Sequence, residues 1–141
     1  MTRELTAKEI VEKSYEKLVD KGYSPRYTSD ECIEFNCNIG GVKFSFYPFE
    51  DEEVLEYSAA FCLKEKMSAA DIERLGHFRA EADKDCVIFE YFNKVGEFIY
   101  LSDLFNVHSY PVDYIEKVIK VLTSSKEIAE LKSKSYLWEE N

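Results

Sequence analysis

A chain of 141 residues fits a single domain, 1–141, because the commonest domains hold about 100–150 residues and enclose a real core at that size. Acidic residues outnumber basic ones 28 to 18, and the resulting net charge of -10 repels phosphate backbones and anionic lipid, which argues against nucleic-acid and membrane binding. Met1 leads into Thr2-Arg3-Glu4-Leu5, and no apolar run approaches the roughly 20 residues that span a bilayer or the shorter core of a signal peptide, so a cytoplasmic protein is expected.

The pattern opens on a helix. Thr6-Ala7-Lys8-Glu9 is a capping box, in which the hydroxyl and the carboxylate satisfy backbone N–H groups left open by the first turn. Ala7, Ile10, Val11, Ser14, Leu18 and Val19 fall on one stripe at helical spacing, and Gly22 suits the left-handed residue that ends the helix. Tyr23 to Asp30, with Ser24-Pro25, reads as a connecting loop.

From Ile33 the period becomes two. Ile33, Phe35, Cys37 and Ile39 alternate with Cys32, Glu34, Asn36 and Asn38, which describes a strand with one wet face. Gly40-Gly41 supplies the positive φ angles of a tight hairpin, and Val42, Phe44 and Phe46 continue the apolar face, so Ile39 should pair with Val42, Cys37 with Phe44 and Phe35 with Phe46. Glu50-Asp51-Glu52-Glu53 follows Pro48. It lacks the spaced carboxylates of a calcium loop and reads as solvated. A third strand runs through Leu55, Tyr57, Ala59, Phe61 and Leu63.

Ser68-Ala69-Ala70-Asp71 predicts the start of a second helix, with Ile72, Leu75, Phe78 and Ala82 as its apolar stripe. Cys86 to Phe92 and Glu97 to Leu101 then predict a second hairpin, turning through Asn93 to Gly96. Period two would put Phe89, Tyr91, Phe98 and Tyr100 on one face, with apolar residues on the other face as well. Helices packed on one side cannot cover both, so these four residues form the candidate surface for a partner or for dimerisation. Pro111 suits a first helical position, and Val112, Ile115, Val118, Ile119 and Leu122 give the next helix its stripe. Thr123-Ser124-Ser125 interrupts it. Ser124 and Glu127 predict a restart into a C-terminal helical extension from about 124 that carries Ile128, Leu131, Leu137 and Trp138.

Chemistry-bearing residues are sparse. Cys32, Cys37, Cys62 and Cys86 contain no C-x-x-C pair, and Cys32 and Cys37 should point to opposite faces of a strand, so structural thiols are expected rather than disulfides or zinc ligands. His77 and His108 are the two histidines and read as surface or capping residues. Glu90 and Glu97 come from adjacent predicted strands, but without a pocket they do not make an acid and base pair. No phosphate loop, dinucleotide fingerprint or zinc-protease motif occurs. No catalytic residue, metal or cofactor is assigned. The lysines of the last segment, Lys117, Lys120, Lys126, Lys132 and Lys134, are interleaved with Glu116, Glu127 and Glu130 and read as a mixed solvated face.

The order helix, three strands, helix, two strands, helix resembles the α+β fold, α-β-β-β-α-β-β-α, of type III secretion chaperones and the related YbjN-like bacterial proteins. The likeness covers most of the chain. It rests on Leu18 and Gly22-Tyr23 closing the first helix, the Gly40-Gly41 hairpin with Phe44 and Phe46, and the acidic loop before Leu55. It continues through the strands around Phe89 and Tyr100 and the Pro111 entry to the last helices. The resemblance implies an antiparallel sheet with helices packed on it, in a small acidic homodimer whose sheet surface holds an extended segment of another protein. A YbjN-type regulatory protein that only self-associates and a small-ligand enzyme are the alternative readings.

Overall fold

The computed structural model describes residues 5–28, 34–49, 53–109 and 114–139. Its order is α1 (Ala7–Asp20), β1 (Arg26–Tyr27), β2 (Phe35–Ile39), β3 (Val42–Pro48), β4 (Val54–Leu63), α2 (Ala69–Glu73), β5 (Phe78–Ala82), β6 (Asp85–Phe89), β7 (Tyr91–Val95), β8 (Phe98–Asn106), a 3-10 turn (Val107–Ser109), α3 (Tyr114–Ser124), α4 (Lys126–Ser133) and β9 (Ser135–Tyr136). This is an α+β domain built on an antiparallel sheet, ordered β1-β2-β3-β4-β8-β7, with β9 pairing the end of β4.

The inner face of that sheet is the core. Phe35, Cys37, Ile39, Val42, Phe44, Phe46, Leu55, Tyr57, Ala59, Phe61, Ile99 and Leu101 are buried on it, meeting Val11 and Leu18 of α1 and Val118, Val121 and Leu122 of α3. The expected pairs Ile39 with Val42, Cys37 with Phe44 and Phe35 with Phe46 are all present. The turn between them needs φ values of +63° at Gly40 and +86° at Gly41, where a side chain is disfavoured. The Thr6 and Glu9 capping box closes reciprocally at 3.2 Å each way, and Tyr23 N–H reaches back to Leu18 C=O past Gly22 at φ +92°. Val19, expected on the buried stripe, is half exposed at the stripe's margin.

The chain departs from its predicted course after Glu73. Helix α2 is only five residues long, and Phe78 to Ala82 form a strand paired with β6 in a separate two-stranded sheet. Arg, Ala and Glu favour helices, yet Phe78-Arg79-Ala80-Glu81-Ala82 also alternates with period two, and the alternation wins because Ala80 and Ala82 bury beside α3 and α4. The Asp83-Lys84 turn is easily overlooked: Asp83 takes φ +53°, a conformation Asp tolerates better than most residues. The second large hairpin also turns later than expected, through Gly96-Glu97 rather than Asn93 to Gly96, with Val95 opposite Phe98.

Ser125, not Ser124, caps α4 by accepting from Ile128 N–H. The extension then leaves helix at Ser133 and enters β9, so Leu137 and Trp138 lie beyond the helix rather than on it. The residues assigned to the acidic run at 50–52, to Cys32 and Ile33, and to the Pro111-Val112 helix entry lie outside those described. Among the described residues the cysteines are free thiols, with Cys37 fully buried. No helix among them is long and apolar enough to cross a membrane.

Candidate protein-interaction face

The sheet has a second face, and its composition changes from one end to the other. Residues directly opposite in an antiparallel pair point the same way. Asn36, Asn38, Lys43 and Ser45 therefore form a polar outer surface on β2 and β3, where Ser45 donates a hydrogen bond to Asn36 Oδ1. Across β4 and onto β8 and β7, the same face carries Ala60, Cys62, Phe98, Tyr100, Tyr91, Val95 and Leu104.

Of the four predicted surface residues, the structure brings three together. Tyr91, Phe98 and Tyr100 are 57%, 46% and 37% exposed on the outer face, and the rings of Phe98 and Tyr100 stack at 6.3 Å. Phe89 is not among them. It is fully buried on the inner side, 5.4 Å from the ring of Tyr57 and 6.3 Å from that of Phe78. Period two cannot be carried across Glu90, because β6 belongs to the small sheet and the chain breaks out of strand there before β7 joins the large one.

Sequence reasoning missed the C-terminal contribution to this face. Beyond α4 the chain pairs Tyr136 with Cys62 and then runs over the polar hairpin, where Trp138 N–H donates to Gly41 C=O at 2.8 Å and Asn38 Nδ2 donates to Trp138 C=O at 2.6 Å. Lys43 Nζ sits 5.6 Å above the Trp138 ring, and Lys64 Nζ 5.9 Å above that of Tyr136. Between this tail and β8 lies a groove of about 260 Å³, floored by Ala60 and Cys62 and walled by Phe98, Tyr100, Tyr136 and Trp138. The one available signal was the aromatic pair Tyr136 and Trp138 in a segment whose helical period had already failed.

Taking about 200 Å² per aromatic side chain, Tyr91, Phe98, Tyr100 and Tyr136 together leave roughly 400 Å² in water. Val95, Leu104 and Leu137 enlarge the patch to the upper end of what monomers expose, the range in which such patches serve recognition.

The remaining candidates do not converge. Glu90 and Glu97 flank the ends of β7, so at about 3.4 Å per residue they lie roughly 20 Å apart along the hairpin. His77 Nδ1 lies 2.8 Å from a carboxylate oxygen of Glu90, and His108 sits in the 3-10 turn with its N–H donating to Asn106. Tyr57 donates its hydroxyl proton to Ile88 C=O on the inner side, and burial beside Tyr114 and Asp103 holds that phenol well above its ordinary range. Burial, with Glu90 nearby, also raises the Asp103 carboxyl, and burial with Glu34 nearby raises that of Glu56 on the outer face. Among the described residues no group of His, Cys, Asp and Glu could hold a metal ion.

No protein-family model matches this chain, and neither a curated protein nor a solved structure shows significant similarity to it.

Proposed function

We propose that the protein is a non-enzymatic binding module, a chaperone-like cytoplasmic homodimer that holds a segment of another protein on its outer sheet face, in the manner of the type III secretion chaperones and YbjN-like proteins it resembles. One observation carries this reading: an aromatic patch of Tyr91, Phe98, Tyr100 and Tyr136 stands in water on a sheet whose other face already contains the core. Burying those rings in the fold was open to the sequence, as Phe89 demonstrates, so their exposure calls for a partner. The groove between Phe98 and Trp138 offers such a segment a seat for an apolar side chain, and the acidic charge of the domain favours segments with basic residues at their flanks.

Affinity capture from the native cell tests it. The wild-type domain should retain specific proteins that Phe98→Glu, with unchanged circular dichroism, does not. Equal capture by both forms rejects the outer face as the binding surface.

A further inference from the structure

Strand β7 ends the large sheet, and all five of its residues from Tyr91 to Val95 are exposed. Proteins usually guard such an edge with charges, proline, a bulge or a covering element. β7 carries one charge, Lys94, has no proline, and pairs with β8 residue for residue without a bulge. Its two-residue turn makes Val95 and Phe98 a hydrogen-bonded pair, and the alternation that follows directs the N–H and C=O groups of Phe92 and Lys94 away from β8.

We propose that this edge pairs with the same edge of a second copy, antiparallel about a two-fold axis through Asn93, so that one sheet runs through both protomers. The proposal rests on the protein-binding reading above and specifies how its dimer forms. In this register Phe92 stands opposite the partner's Lys94, and both residues present outward N–H and C=O groups, so the ladder continues without mismatch. On the outer face Tyr91 meets the partner's Val95. On the inner face Lys94 lies across from the partner's Phe92, with the partner's Glu90 on one diagonal and the partner's Lys94 on the other, and the two-fold axis repeats that arrangement. Two chains of charge -10 repel one another, and each Lys94 brings a positive charge to the seam.

Neighbouring registers are poorer. Centring on Lys94 sets two ammonium groups face to face, and centring on Phe92 leaves Val95 without a strand partner. Pairing like with like also consumes the open edge in each copy, which closes the assembly at two. The two aromatic outer patches then lie side by side on one continuous surface.

Two variants test the geometry. Lys94→Pro removes an outward N–H while sparing the bonds to β8, and proline is tolerated at such edge positions. It should halve the mass measured by light scattering with unchanged circular dichroism. Asn93→Cys places two thiols at a non-hydrogen-bonded pair, where Cα atoms stand about 4.5 Å apart, within the span a disulfide bridges. Mild oxidation should give a covalent dimer that reductant reverses, with none from wild type treated alike. A Lys94→Pro variant that keeps dimer mass, or an Asn93→Cys protein that does not cross-link, overturns the proposal. If Lys94→Pro fails to fold, the cross-link alone decides. Failed cross-linking with partner capture still lost in Phe98→Glu refutes the strand pairing and spares the protein-binding reading; efficient cross-linking with capture unaffected by Phe98→Glu does the reverse.

Discussion

The two long hairpins of this domain share a design and differ in what they bury. Both β2–β3 and β7–β8 turn in two residues with glycine at the first central position, and both alternate along their strands. In β2–β3 the apolar set faces inward and Asn36, Asn38, Lys43 and Ser45 meet water. In β7–β8 only Ile99 and Leu101 reach full burial, while Tyr91, Val95, Phe98 and Tyr100 stand outside. The first hairpin is spent on stability and the second on a surface, so equivalent substitutions in the two should give opposite phenotypes.

The largest contrast is between matched aromatic truncations. Phe44→Ala removes a fully buried ring and should destabilise the domain by about 3–5 kcal/mol, whereas Phe98→Ala, at an exposed position, should stay within about 0.5 kcal/mol of wild type. Urea unfolding midpoints compare them directly. Similar losses in both would mean that the outer patch belongs to the core.

The turns sharpen the comparison. Gly41 has φ +86°, and a Cβ there would come within 2.8 Å of Leu137 Cδ2, while Gly96 has φ +62° and open space around it. Both replacements by alanine carry the left-handed penalty of about 1–2 kcal/mol, and Gly41→Ala should add about 1 kcal/mol more by displacing the C-terminal tail. Truncating Leu137 to alanine in the Gly41→Ala background should recover that excess. If the two alanine variants melt together, the tail does not lie on the first hairpin.

Acid titration gives a smaller effect. The folded state raises the Asp103 carboxyl above its ordinary value, chiefly by burial, so over the window between the two values the native protein holds a proton that the unfolded chain has lost. Stability from this group is therefore present at lower pH and is lost as pH rises through that window. Asp103→Asn should flatten this part of the stability profile. An unchanged slope would assign it elsewhere, with Glu56 the next candidate because its carboxyl is raised in the same direction.

The smallest perturbation is chemical labelling. Cys62 lies partly exposed in the outer groove and Cys37 is fully buried behind the first hairpin, so a thiol reagent should modify Cys62 in the native protein and reach Cys37 only on unfolding. Protection of Cys62 on addition of a captured partner would place that partner in the groove.

Much of this arrangement follows from local pattern alone. Alternation and the double glycine determine β2–β3 down to its register, because one face is apolar and a slip by one residue would turn every side chain over. The Thr6 and Glu9 cap and the stripe of α1 are equally local, as is the aromatic excess around the second hairpin that marked it as a surface. Tertiary structure decided the rest. Residues 78–82 carry helix-forming side chains that also alternate, and only burial beside α3 and α4 selects the strand. Phe89 and Tyr91 share parity in the sequence, yet the break at Glu90 places them in different sheets and on opposite sides of the molecule. The tail from Tyr136 to Trp138 acquires its role from Cys62, Gly41 and Asn38, partners about 75 to 100 residues away that no local period could reveal. Periodicity fixes which residues share a face of one element, whereas which element covers that face, or leaves it open, is settled only where distant segments compete for the same surface.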